Sequence, residues 1–140
     1  MKPFISKILA RDCITVQQNL TLRNVAKILT NNIIGAVPVL DASGALAGIL
    51  SERDLVKSLH KNVDLDTHTA SDLMTTDLIV TSAEVSSSDL MKLMTDHKIR
   101  HVPIVSEDRL IGIVSIGDFV KRLLAKFEME TEQLRIFINS

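Results

Sequence analysis

Two short groups in this chain combine residue types and spacing suited to holding a polar ligand: Ser51 with Asp54, and Ser115 with Asp118. Each ends the same run, Gly-Ile-Leu/Val-Ser-x-x-Asp, which begins at Gly48 and again at Gly112. A serine and an aspartate three residues apart, where a strand gives way to a helix, make a capping box in which the hydroxyl accepts a first-turn N–H. The same helix start presents unpaired N–H groups and partial positive charge, so anions settle there. A carboxylate one turn in can also accept hydrogen bonds from the vicinal hydroxyls of a ribose. Spacing by itself favours the cap, but the two roles are compatible. With no side chain, Gly48 and Gly112 would let a ligand come close to the backbone.

These groups belong to an internal repeat, which governs everything else read from the chain. Val37-Pro38-Val39-Leu40, a turn, and Gly48-Ile49-Leu50-Ser51 return as Val102-Pro103-Ile104-Val105, a turn, and Gly112-Ile113-Val114-Ser115. The copies are 65 positions apart before the turn (Pro38 to Pro103) and 64 after it (Asp54 to Asp118), so the turn has lost one residue. Two copies of this length suit halves related by a pseudo-twofold axis, with a pair of equivalent clefts rather than one active site.

The elements that must position these residues follow from periodicity. Lys2 to Leu9 reads as a short amphipathic turn, and Cys13 to Val16 as a short β-branched strand. Thr21 caps a helix with Leu22, Val25, Ala26 and Leu29 on one face, ending near Asn31-Asn32. Strands at Ala36–Leu40 and Ala45–Leu50 flank the turn Asp41-Ala42-Ser43-Gly44, and a helix runs from Ser51 to about His60. After a polar link at Asn62–Thr69 the order repeats: a strand at Leu78-Ile79-Val80, a helix with Leu90, Met91 and Met94 on one face, and strands at His101–Val105 and Leu110–Val114. Each half is therefore β-α-β-β-α. The parts expected are a first repeat over 1–61, a link over 62–69, a second repeat over 70–126 and a helical extension over 127–140. That extension carries Phe127, Leu134, Phe137 and Ile138, so it either folds back on its own domain or forms a self-association surface.

Composition removes several classes of function. Sixteen Lys and Arg against seventeen Asp and Glu leave a net charge of −1, and neither Trp nor Tyr is present, so a nucleic-acid partner is not expected. No apolar run reaches membrane-spanning length, Lys7 interrupts the start before a signal-peptide core forms, and Cys13 has no second cysteine to pair with. A cytoplasmic protein with an aliphatic core is expected. Cys13 precedes a strand with no neighbouring histidine to activate it and reads as a small core residue. His97 and His101 have the spacing of a helical zinc pair, but Pro103 and the strand-like run around it end the helix before His101, so no metal is expected. His60 and His68 read as solvated. No nucleophile–base pair or glycine-rich phosphate loop is present, which argues against an enzyme.

The paired pattern, together with the matching flanks Asp12-Cys13-Ile14-Thr15-Val16 and Asp77-Leu78-Ile79-Val80-Thr81, resembles a tandem pair of cystathionine-β-synthase (CBS) domains, or Bateman module, from Ile5 to about Leu124. The resemblance implies an α+β fold of two pseudo-twofold-related repeats packed through their sheets, followed here by an extended C-terminal helix. It implies two clefts for adenosine-containing ligands, with AMP foremost and ADP, ATP, NAD(H) or S-adenosylmethionine as further candidates. Each cleft would be built crosswise. Ser51 and Asp54 would hold ribose beside Ile79, Val80, Arg100, His101 and Pro103, while Ser115 and Asp118 would face Ile14, Thr15, Gly35, Ala36 and Pro38.

That crossing suggests an asymmetry: Arg53, Arg100 and His101 surround Asp54, whereas Gly35 and Ala36 occupy the matching positions near Asp118. Phosphates are thus expected to be held more firmly at Asp54. The resemblance also implies a homodimer and, with no enzyme or transporter attached, an effector protein reached in trans. Two alternatives stay open: a scaffold whose clefts are empty, and an enzyme using bound NAD(H), for which His101 is the one weak candidate.

Overall fold

The computed structural model describes residues 3–139; Met1, Lys2 and Ser140, on which the ends of the expected first turn and C-terminal extension fall, lie outside the described residues. The order is α1 (Pro3–Ala10), β1 (Val16–Gln17), α2 (Leu22–Asn32), β2 (Ala36–Leu40), β3 (Leu46–Ser51), α3 (Glu52–His60), α4 (Ala70–Leu73), α5 (Ser87–His97), β4 (His101–Ser106), β5 (Arg109–Ser115) and α6 (Ile116–Asn139). This is the mixed α+β, two-repeat architecture with a long C-terminal helix that the sequence pattern led us to expect.

The two halves reproduce one another pair by pair. Ala36 lies opposite Ser51 and Val39 opposite Gly48 in the first antiparallel pair; His101 lies opposite Ser115 and Ile104 opposite Gly112 in the second. A register shift follows Val39 in one and Ile104 in the other. The residue lost between copies is in the turn. Asp41 Oδ1 accepts from the backbone N–H of Ser43 and Ala45 in the first, with Gly44 at φ 87°, whereas Glu107 and Asp108 at φ 51° and 63° turn the second.

The two first strands differ from expectation. Only Val16 and Gln17 pair with β2, in parallel with Val39 and Leu40. The run Leu78–Val80 forms no strand; its half keeps a single parallel bridge, Thr81 with Ile104. Ser82 Oγ accepts from the Glu84 N–H, and this local bond turns the chain where Gln17 continues the ladder in the first half.

Each half has its own aliphatic core, and each core takes a segment from the other side of the repeat boundary. Val16, Leu22, Val25, Leu29, Val37, Val39, Leu50 and Leu55 pack with Ala70 of α4. Leu90, Met94, Val102, Ile104, Val114 and Phe119 pack with Ile5 and Ile8 of α1. The start of the chain is thus a true helix rather than a turn, and it seats on the second half.

Helix α6 does not fold back. Phe119 is its one buried residue, and Leu123, Leu124, Phe127 and Leu134 are exposed along the rest. No helix among the described residues is long and apolar enough to cross a membrane.

Candidate functional site

Both capping boxes form. The Ser51 N–H and hydroxyl each donate to Asp54 Oδ2 at 2.9 Å, and the Asp54 N–H donates to Ser51 Oγ at 3.2 Å. In the second half the Ser115 N–H and hydroxyl donate to Asp118 Oδ2 at 2.7 and 3.1 Å, and the Asp118 N–H donates to Ser115 Oγ at 3.3 Å. Asp54 Oδ1 has no donor among the described residues, so it is available to a ligand. Asp118 Oδ1 is already taken, as described below.

A cleft of about 660 Å³ opens beside Asp54. It joins Ser51, Arg53 and Asp54 of the first half to Ile79, Arg100 and His101 of the second. This is the crosswise grouping that the family resemblance implied for these six. Val80 is exposed and Pro103 fully buried, and neither lines the cleft. Glu52, Asp77 and Lys98 line it as well and had not been singled out.

A second cleft, of about 300 Å³, brings Ile14, Gly35 and Ala36 of the first half to Ser115 and Asp118 of the second. Thr15 and Pro38 do not line it: Thr15 is half-buried and Pro38 fully buried. Cys13 is half-buried and lines the cleft rather than filling a core; burial pushes its thiol up, against the pull of Arg11. Among the described residues no three His, Cys, Asp or Glu side chains converge as a metal site would require.

The expected shortage of cations near Asp118 does not hold. Arg11 and Lys121 both line this cleft. Arg11 Nη1 and Nη2 donate to Asp118 Oδ1 and Oδ2 at 2.7 and 2.9 Å, and Nη2 also donates to the Ile113 carbonyl at 2.9 Å. The premise for ranking phosphates toward Asp54 is therefore lost. Arg11 sits 65 positions before Thr76, so the first cleft has no equivalent cation. The sequence held one faint signal, a basic residue closing an amphipathic segment; its destination depended on α1 packing against the second half.

The electrostatics follow from this pair. Burial works to raise the Asp118 carboxyl, but hydrogen bonds from Arg11 and from Ser115 outweigh it and hold the group below its ordinary value. The Arg11 guanidinium is held up chiefly by its bond to Asp118. His101 lines both clefts, and burial pushes its imidazole down, toward the neutral form. It lies against Gly35, where an added Cβ would stand 3.4 Å from His101 Cε1.

Neither Gly48 nor Gly112 leaves the space of its missing side chain to a ligand, although Gly112 lines the second cleft. The space beside Gly48 is filled by Met74 and the Thr75 carbonyl, and that beside Gly112 by Leu9. The chain's own lead-in segments use the missing side chains.

Two repeated α+β halves with a capped serine–aspartate pair at the mouth of each shared cleft define a tandem-repeat module. The CBS domain model matches residues 5–61 and 70–125, and the chain belongs to that family. It is 35% identical over 105 residues to the CBS domain-containing protein YhcV of Bacillus subtilis, covering 74% of each chain. It resembles the crystal structure of a CBS-domain-containing protein from Agrobacterium tumefaciens, with a TM-score of 0.78 and 36% identity over 85% of this chain and 98% of that one. The CBS domain pair of protein MJ0100, solved in complex with 5′-methylthioadenosine and S-adenosyl-L-methionine, aligns at a TM-score of 0.79 and 28% identity, covering 87% of this chain and 96% of that one.

Proposed function

We propose that this chain is a regulatory module that binds adenosine-containing ligands in its two clefts, AMP foremost, with ATP, NAD(H) and S-adenosylmethionine as alternatives. The observation that carries the reading is the crosswise first cleft, where Asp54 keeps one carboxylate oxygen without a donor beside Arg53, Arg100 and His101. A ribose would take that oxygen, and the arginines would meet a phosphate. The adenosine ligands in the related MJ0100 pair support the same class.

Because each cleft draws on both halves, a bound ligand favours one arrangement of the halves over others, which a partner can sense. His101 and Gly35 line both clefts and so lie where occupancy of one can be felt at the other. We place the module in the cytoplasm, as a homodimer whose exposed α6 face contributes to self-association, acting on a separate effector protein.

Calorimetric titration of nucleotide-stripped protein with AMP, ATP, NADH and S-adenosylmethionine tests this. Saturable binding by at least one of them, weakened about tenfold or more in Asp54→Ala, is expected from the loss of charged hydrogen bonding. No binding by any of the four overturns the reading in favour of a scaffold with empty clefts.

A further inference from the structure

The second cleft does not end at Asp118. On the far side of the Arg11–Asp118 pair a groove of about 680 Å³ runs between α1, α6 and the start of α5. Cleft and groove share Ile8, Arg11, Asp118 and Lys121, so the ion pair is part of the wall between them.

The groove concentrates positive charge in a chain whose net charge is −1: Lys7, Arg11, Lys121 and Arg122 line it, against the single carboxylate of Asp118. Arg122 is held in place, donating to Ser87 Oγ and stacking 5.2 Å from the centre of the Phe4 ring. Neither Lys7 nor Lys121 is paired with a carboxylate among the described residues. Such a groove suits a ligand carrying several negative charges.

Arg11 bars the simplest use of the cleft. With both carboxylate oxygens of Asp118 accepting from Arg11, and Oδ2 accepting from Ser115 as well, a ribose diol competes with Arg11 for Asp118. A neutral nucleoside offers the released guanidinium nothing in return. A phosphate offers it a charge-assisted, two-pronged partner.

We propose that Arg11 is a displaceable wall that makes the Asp118 cleft selective for phosphorylated nucleotides. Ribose takes Asp118, Arg11 swings onto the phosphates, and the joined groove holds them with Lys7, Lys121 and Arg122. The inference rests on the adenosine-ligand reading and gives the Asp118 cleft a phosphate partner of its own.

The test uses the full chain carrying Asp54→Asn, which keeps a capping oxygen while disabling the first cleft, titrated with adenosine, AMP and ATP. ATP is expected to bind at least about tenfold more tightly than adenosine, with the preference shrinking as salt rises. Adding Arg11→Ala is expected to tighten adenosine several-fold, roughly the cost of breaking a partly exposed ion pair. Adding Lys7→Ala, which lines the groove and not the cleft, is expected to weaken ATP several-fold while adenosine affinity stays within about twofold. Equal affinity for adenosine and ATP, or adenosine binding indifferent to Arg11, overturns the inference. Binding that vanishes wholly with Asp54→Asn overturns it too while leaving the functional reading intact. Failure of every ligand on the unsubstituted protein overturns both.

Discussion

Arg11 and Asp118 stand 107 positions apart in sequence and meet in a two-pronged ion pair, with N···O distances of 2.7 and 2.9 Å. The pair ties the end of α1 to the first turn of α6, across the boundary between the repeats. With the Arg11 side chain 48% exposed, solvent screens the attraction, and its worth to stability is about 1 kcal/mol or less.

Its pH dependence has a definite sign. The folded Asp118 carboxyl titrates below its ordinary value of 3.8, so as pH falls the unfolded chain takes up the proton first. The contribution is whole above that ordinary value and is lost as pH drops through the folded one. Arg11→Ala is therefore expected to cost roughly 0.5–1 kcal/mol in thermal unfolding near pH 7 and progressively less as pH falls below the ordinary carboxyl value. A cost that persists undiminished in acid would show that Arg11 stabilises by packing instead.

The two repeat glycines should not tolerate alanine equally. A Cβ at Gly48 would lie 2.6 Å from Met74 Sδ and 2.8 Å from the Thr75 carbonyl oxygen. Thr75 cannot easily yield, because it exchanges two backbone hydrogen bonds with Ile49, at 2.8 and 3.0 Å. At Gly112 the closest atom is Leu9 Cδ2 at 2.8 Å, the tip of a flexible side chain. Urea denaturation is expected to show Gly48→Ala losing about 2 kcal/mol and Gly112→Ala about 1 kcal/mol or less. Equal losses would mean that the two lead-in segments are held with equal rigidity.

Ile33 ends α2 in the left-handed region, at φ 54° and ψ 50°, with its N–H donating to the Leu29 and Thr30 carbonyls. A β-branched residue is strained there, and at 93% exposure it recovers nothing by burial. Ile33→Gly is expected to raise stability by about 1 kcal/mol, seen as a higher Tm. The repeat equivalent, Lys98 at φ 55°, should respond in the same direction. A lower Tm for both would mean that chain entropy in the unfolded state outweighs the strain.

Much of the fold was legible because it is written in local pattern. The spacing of Leu22, Val25 and Leu29 gives α2 its buried face, and the continuous apolar run Ala36–Leu40 gives a strand buried almost throughout. The serine–aspartate spacing gives both capping boxes, since a cap needs no partner beyond one turn. That Asp54 would lie beside Arg100 and His101 came only from the family resemblance, and the three do line one cleft. Where the reading failed, the decisive contact was remote. Leu78–Val80 had strand composition but found no ladder, and the side-chain space at the two glycines is filled by Met74, Thr75 and Leu9.

By itself, then, the sequence determined the two-repeat α+β plan with its caps and turns, because each is specified by periodicity or by a repeated short-range bond. Only the tertiary structure decided that α1 crosses to the second half and brings Arg11 onto Asp118. That choice rests on Ile5 and Ile8 finding a buried seat some hundred residues away, near Val102, Ile104 and Val114. An amphipathic helix encodes that it must bury one face, but not which surface will receive it.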